Sequence, residues 1–245
     1  MSRRHARKSK LPIMMSISVL VILSGVIAIW FLWQKPSVKM EQSSQSMSET
    51  TKVSSTNVSN TTTTVAQEQG VTIVNGILVV NKKHPLPSTY NKGEDPQAKA
   101  ALERLKADMK AQGFSISDQY SGFRSYEYQQ EVYGNYVKRD GVEMADTYSA
   151  RPGHSEHQSG LAFDILNGSG QLLGDSPDDT QAVEWLATHA HEYGFIIRFQ
   201  KGKEAFTGYQ AEPWHIRYVG EQAGEIYESG KSLEEYLNVS GGNYE

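Results

Sequence analysis

At 245 residues, with 38% apolar and 21% charged side chains, the chain has room for one well-buried domain and some length besides. Its formal net charge of −4 is unevenly spread: seven of the 24 Lys and Arg lie in residues 1–40 with no acid among them, leaving 17 bases against 28 acids, a net of −11, in the rest. An acidic body argues against nucleic acid as partner. The complete absence of Cys removes thiol nucleophiles and thiolate metal sites, so any metal must be held by His, Asp or Glu.

The chain opens with Arg3, Arg4, Arg7, Lys8 and Lys10, so residues 1–12 read as a basic cytoplasmic N-terminus. From Ile13 to Trp33 no charge occurs, and at about 1.5 Å per residue this run spans roughly 30 Å, the thickness of a bilayer core. It ends in Trp30-Phe31-Leu32-Trp33 rather than in a small-residue cleavage site, which favours an uncleaved anchor over a signal peptide. The positive-inside rule then leaves everything after residue 33 outside the cell. Residues 34–70, rich in Ser, Thr, Asn and Gln, read as a disordered linker, because they bury too little apolar surface to offset the entropy of ordering.

Order is expected from Val71, in a domain covering 71–245. Val71–Val74 and Ile77–Val80 flank Asn75-Gly76, a hairpin signal. A helix is predicted at about 96–112, with Pro96 in its first turn, Leu102, Leu105 and Met109 at helical spacing, and Gly113 ending it. A second should start at Ser125 and bury Val132, Tyr133, Tyr136 and Val137; a third, at about 179–193, should bury Ala182, Val183, Trp185, Leu186 and Ala190 and stop at Gly194. Leu161–Leu166, Phe195–Phe199 and Trp214–Val219 read as strands. Helices and strands mix without strict β-α-β alternation, which points to an α+β fold.

Two segments concentrate residues that an ordinary core does not choose. In the first, His154-Ser-Glu-His157-Gln-Ser-Gly160-Leu-Ala-Phe-Asp164, strand alternation sets Leu161, Phe163 and Ile165 on one face and Asp164 on the other. An Asp inside an apolar strand is costly unless it is paired or binds a cation. The second is Glu212-Pro213-Trp214-His215-Ile216-Arg217. Pro213 bars a helix, and within one regular strand Glu212 and His215 would face opposite ways, so Glu212 is expected in the loop before the strand. Two imidazoles and a carboxylate (His157, His215 and Asp164) make a three-ligand set of the kind used by catalytic zinc, and Glu212 is a carboxylate free to act as a base. Each of these residues alone is more often structural; the metal reading rests on their joint occurrence.

Ser155-Glu-His157-Gln-Ser-Gly160-Leu-Ala162-Phe-Asp164 resembles the SxHxxGxAxD motif of the VanY-type D-alanyl-D-alanine carboxypeptidases, and Glu212-Pro-Trp214-His215 resembles that family's ExWH motif. Within it the likeness is greatest to streptococcal L,D-carboxypeptidases of the LdcB/DacB type, through Val74–Lys83, Ser121–Tyr126 and Tyr148–Gly153. The resemblance covers about residues 71–240. It implies the small α+β zinc metallopeptidase fold shared with lysostaphin-type enzymes and the hedgehog domain. It further implies that His157, Asp164 and His215 ligate Zn2+ and that Glu212 is the general base for attack by metal-bound water. Arg124 would polarise the scissile carbonyl, and Gln129 and Ser155 would bind substrate. The expected substrate is the peptidoglycan stem peptide, and the expected protein is a monomer in the wall space of a Gram-positive cell.

Removal of a terminal D-Ala, with L,D cleavage of a tetrapeptide favoured over D,D cleavage of a pentapeptide, is the leading expectation. A cross-link endopeptidase and an inactive wall-binding metal module are the alternatives. No Ser-x-x-Lys occurs, so the serine penicillin-binding mechanism has no nucleophile. His154 is expected to line the cleft or face solvent, His189 to be partly buried, His191 to lie at the surface and His84 to lack a partner. Tyr126, Tyr128, Tyr133, Trp185 and Tyr193 read as core packing, whereas Tyr209 and Trp214 border the cleft.

Overall fold

The computed structural model describes residues 65–68 and 70–244, all within one compact unit, Ser59–Glu245. The apolar run 13–33 and the linker up to residue 64 lie outside the described residues, among which no helix is long and apolar enough to cross a membrane.

Order begins earlier than Val71. Strand β1 (Val65–Glu68) pairs antiparallel with β2 (Val71–Val74), which pairs with β3 (Ile77–Val79). The expected linker therefore ends before Val65, because β1 gains backbone partners along β2 that composition alone does not reveal. Asn75 and Gly76 have φ of 50° and 82°, the paired left-handed conformations a tight hairpin turn requires.

Helix α1 (Pro96–Ala111) is capped by Asp95, whose carboxylate accepts from the Gln97 and Ala98 amides at 2.9 Å. Strand β4 (Ile116–Ser121) was not foreseen: Ile-Ser-Asp-Gln-Tyr-Ser has almost no apolar alternation, because β4 is an edge strand burying only Ile116 fully. Helix α2 (Tyr126–Asp140) starts where Ser125 accepts from the Tyr128 amide, as expected, and α3 (Val142–Ala145) follows. Val132, Tyr133, Tyr136 and Val137 are only half-buried and the one fully buried residue of α2 is Gln129, because this helix walls the cleft instead of covering the core. Tyr128 is 56% exposed, so it is not a core residue.

Strands β5 (Ala162–Asn167), β6 (Phe195–Phe199) and β7 (Glu212–Tyr218) join β4 in an antiparallel sheet of order β4-β5-β7-β6. Helix α4 (Thr180–His189) lies between β5 and β6, ending through a short 3-10 turn at Gly194, and α5 (Glu204–Thr207) lies between β6 and β7. Helices α6 (Ala223–Ser229) and α7 (Leu233–Leu237) close the chain. On one sheet face Phe163, Ile165, Phe195 and Ile216 pack with Leu102, Leu105 and Met109 of α1 and Leu186 of α4, all fully buried. A second cluster joins the hairpin's Val74, Ile77 and Val79 to Ile226, Leu233 and Leu237. The α+β expectation holds: the four-stranded antiparallel sheet carries α1 and α4 on one face, while its other face bears the cleft, walled by α2, and the hairpin with α6 and α7.

Candidate metal centre

The site is built on that other face. In the β5–β7 register Asp164 lies directly opposite His215, so alternation puts both side chains on the same face as immediate cross-strand neighbours. His157 arrives from the 3-10 turn Glu156–Ser159, which ends at Gly160 with φ of 74°. Its Nδ1 donates to the Gly122 carbonyl at 2.8 Å, which fixes the tautomer and leaves Nε2 unprotonated, 3.2 Å from Asp164 Oδ2. His215 Nδ1 lies 3.0 Å from Asp164 Oδ1, and the two imidazoles meet edge to face with centroids 5.0 Å apart. One donor atom from each of His157, Asp164 and His215 falls within 4.8 Å of the others.

This donor set fits a divalent cation. Ligand atoms about 2.0–2.1 Å from a tetrahedral ion are separated by roughly 3.3 Å; the two imidazoles lie 3.2 and 3.0 Å from the two oxygens of Asp164, and the three donors fall within 4.8 Å of one another. Asp164 Oδ1 is buried and faces His215 Nδ1 at 3.0 Å, so once that nitrogen gives up its proton the oxygen has no donor. A buried carboxylate oxygen left without a donor is costly unless a cation satisfies it.

Glu212 corrects one expectation. It does not come from a loop, since β7 begins at Glu212 itself, yet its Oε2 is 3.7 Å from His215 Nδ1. The strict alternation that would have put them on opposite faces is broken by a bulge: Ile197 pairs with Ile216 but Phe199 pairs with Glu212, so four residues of β7 advance against two of β6. The irregular stretch at Pro213-Trp214 frees Glu212 from strict alternation, and its side chain lines the cleft beside His215.

Arg124, in the loop after β4, reaches the same cleft. Its Nη1 donates to Gln129 Oε1 at 2.8 Å, and its backbone amide donates to the His157 carbonyl at 3.2 Å. Gln129 also donates to the Ala150 carbonyl at 2.6 Å, so its amide is engaged at both ends and clamps Arg124. Ser155 is buried in the cleft wall, and Tyr209 and Trp214 line the cleft as expected. The cavity is about 430 Å³ and also takes in Tyr136, Arg139 and Tyr148, which no sequence pattern places there. His154 lines it too, its Nδ1 2.9 Å from the Asn81 carbonyl, and it is not part of the ligand cluster.

The remaining histidines among the described residues are structural. His189 stacks on Trp185 at 4.4 Å. His191 is half-buried against Tyr227 at 4.0 Å instead of lying at the surface, and His84 has a partner after all, Thr72 Oγ1 at 3.3 Å.

Electrostatics separate the roles. Burial pushes Glu212 up to about 7, outweighing the nearby His215 imidazole. Burial also lowers His157 and keeps it neutral, Asp164 notwithstanding. His215 goes the other way: burial would lower it, but the Asp164 and Glu156 carboxylates facing its two ring nitrogens raise it to about 9. Burial opposes the ionisation of Asp164, yet the imidazoles hold it far below the usual carboxylate range; with His157 neutral, that attraction at neutral pH rests on His215.

Three charged residues beneath the site escaped the sequence reading. Glu156 is fully buried between Arg198 and Arg217, which donate to its Oε1 at 2.9 and 2.6 Å. The signal was present as an Arg inside each of the apolar strands Phe195–Phe199 and Glu212–Tyr218, and buried arginines demand a carboxylate.

A family model described as VanY, D-alanyl-D-alanine carboxypeptidase, matches residues 91–221. A D-alanyl-D-alanine carboxypeptidase of Enterococcus faecalis (strain ATCC 700802 / V583) is 34% identical over 203 residues, covering 75% of this chain and 73% of that protein. The structure of the LdcB LD-carboxypeptidase is similar at 51% identity and TM-score 0.71, over 75% of this chain and 98% of that one. The vancomycin-resistance D,D-pentapeptidase VanY of a VanB-type cassette, solved as a variant in complex with Zn(II), is similar at 35% identity and TM-score 0.56, over 65% and 97%.

Proposed function

The chain belongs to the VanY family of D-alanyl-D-alanine carboxypeptidases, and from that premise we propose that it removes the C-terminal D-Ala of peptidoglycan stem peptides with zinc held by His157, Asp164 and His215. The observation that carries the reading is the convergence of those three donors in one buried cluster with Glu212 beside them. Zinc bound there would supply Lewis acidity, polarising the scissile carbonyl and lowering the pKa of a water.

The residues divide the remaining work. Glu212, with a pKa near neutrality, takes the proton of the attacking water and returns it to the leaving amine. The permanently charged Arg124, clamped by Gln129, stabilises the oxygen on which negative charge develops. Ser155, Tyr209 and Trp214 shape the cleft around the terminal residue.

Likeness to the LdcB LD-carboxypeptidase favours L,D cleavage of a tetrapeptide over D,D cleavage of a pentapeptide. Incubation with defined tetrapeptide, pentapeptide and cross-linked dimer, followed by product mass, tests this. Loss of one alanine from the tetrapeptide is expected, whereas splitting of the dimer would favour an endopeptidase, and no product from any of them an inactive module. With neither Cys nor Ser-x-x-Lys in the chain, β-lactams should leave the rate unchanged, and a β-lactam-sensitive rate would contradict the mechanism. The uncharged run at 13–33 and the basic cluster before it support anchoring in the cell membrane with the catalytic domain outside.

Zinc uptake should release protons. His215, raised to about 9 in the metal-free protein, is protonated at pH 7 and must shed its Nδ1 proton to bind. The same raised pKa stabilises the metal-free fold below about pH 6.5, a contribution lost as pH rises through about 9. Zinc affinity therefore increases between about pH 6.5 and 9. Titration calorimetry at pH 7 in buffers of different ionisation enthalpy should find about one proton released from His215 and about half of one from Glu212 per zinc; heats independent of buffer would contradict the assignment of His215.

A further inference from the structure

Glu156 precedes the ligand His157 in sequence, but its carboxylate faces the other imidazole. Its Oε1 is taken by the two guanidinium groups, Arg198 Nε at 2.9 Å and Arg217 Nη1 at 2.6 Å. Its Oε2 accepts no hydrogen bond and lies 3.5 Å from His215 Nε2, which is itself buried and unpartnered. Two buried polar atoms without another partner therefore face each other 3.5 Å apart, on the side of the His215 ring away from Asp164 and Glu212.

We propose that Glu156 is a positioning residue that holds His215 as its Nε2–H tautomer, so that the Nδ1 lone pair is presented to the metal. The proposal rests on the metal-centre reading above. A ligating imidazole needs an acceptor on its second nitrogen to fix ring and tautomer. His157 takes the Gly122 carbonyl for this purpose. His215 has no backbone carbonyl there, and Glu156 Oε2 is the acceptor within reach. An anionic acceptor makes His215 the more basic of the two ligands.

The carboxylate is held in turn. Arg217 stands two residues beyond His215 on β7, so alternation puts it on the same face; its Nη2 donates to the Leu78 carbonyl at 2.6 Å. Arg198 donates to Glu234 of α7 at 2.9 and 2.5 Å, and Asn81 donates to the same carboxylate at 3.1 Å. The hairpin, β6, β7 and α7 thus converge on one buried carboxylate whose free oxygen points at a ligand.

The test uses the full chain in detergent, loaded with zinc or cobalt, as wild type and as Glu156→Gln. Gln keeps the shape but turns an NH2 group either toward the guanidiniums or toward Nε2–H. Competition against a chelator should show zinc affinity lowered ten- to a hundredfold, and the visible spectrum of the cobalt form should shift, while KM for the stem peptide stays put. A folded variant with wild-type zinc affinity and an unchanged cobalt spectrum would overturn the proposal. Should Glu156→Gln not fold, long-range 15N–1H spectra of zinc-loaded wild type decide: a protonated Nε2 on His215 is expected, and a protonated Nδ1 overturns it. Wild type that takes up no zinc at all would instead bring down the metal-centre reading on which this one stands.

Discussion

Glu212→Gln should lower kcat by about 10²–10⁴-fold, the range supplied by a positioned general base, and leave zinc uptake at the wild-type level. Gln keeps the volume and hydrogen-bonding reach of Glu but cannot accept the proton. Glu212 is 8% exposed and its Oε2 is 3.7 Å from His215 Nδ1, so it stands beside the donor cluster without belonging to it. Its pKa near 7 arises because burial disfavours the charge more than His215 restores it, and a bound dication would draw it down toward full ionisation at neutral pH. The check is steady-state hydrolysis of a stem peptide beside elemental analysis of the same preparation. Wild-type turnover with full zinc would remove Glu212 from the mechanism; lost zinc would show instead that it is a ligand.

The second large effect is on stability. Gly160→Ala should cost about 3–5 kcal/mol, combining a strained backbone with an insoluble clash. Gly160 has φ of 74°, and a Cβ there would lie 1.9 Å from the Gly93 carbonyl oxygen and 3.0 Å from its carbon. Those atoms are backbone, so no rotamer change relieves the contact. The approach is close because Asp95, the cap of α1, donates its amide to the Gly160 carbonyl at 3.0 Å. One glycine thus ends the turn carrying His157, starts the strand carrying Asp164 and docks the first helix. Thermal unfolding by circular dichroism should show a midpoint lowered by roughly 10 °C; a shift of a degree or two would mean that the two loops part without penalty.

Much of the site was legible in the sequence because strand alternation is a strong rule. A carboxylate inside Ala162–Asn167 and a histidine inside Glu212–Tyr218 had to leave the core face, and antiparallel pairing set them opposite each other. Rules of that kind fail where the regularity does. The register of β7 breaks between Glu212 and Ile216, so alternation no longer governs where Glu212 points, and nothing in Glu-Pro-Trp-His announces the irregularity. Strand β4, which carries Ser121 into the Arg124 loop, is an edge strand with one fully buried apolar residue, so it lacked the pattern by which strands are read. Gln129 was expected at the substrate cleft and lines it, but its clamp on Arg124 and Ala150, 5 and 21 residues away, is set by tertiary packing that no local pattern shows. The same holds for Glu156, whose partners Arg198 and Arg217 lie 42 and 61 residues off. Long-range charge pairing leaves only a weak local trace, a guanidinium in an apolar strand. Segment 13–33 stands on composition and charge alone.

The central claim, hydrolysis that depends on zinc at His157, Asp164 and His215, is most directly tested by stripping the metal with a chelator and assaying a defined stem tetrapeptide before, after, and following return of one equivalent of zinc. Release of a single terminal alanine should vanish with the metal and return with it, and His215→Ala should neither hold zinc nor recover. Undiminished alanine release from protein shown by elemental analysis to be metal-free would contradict the account.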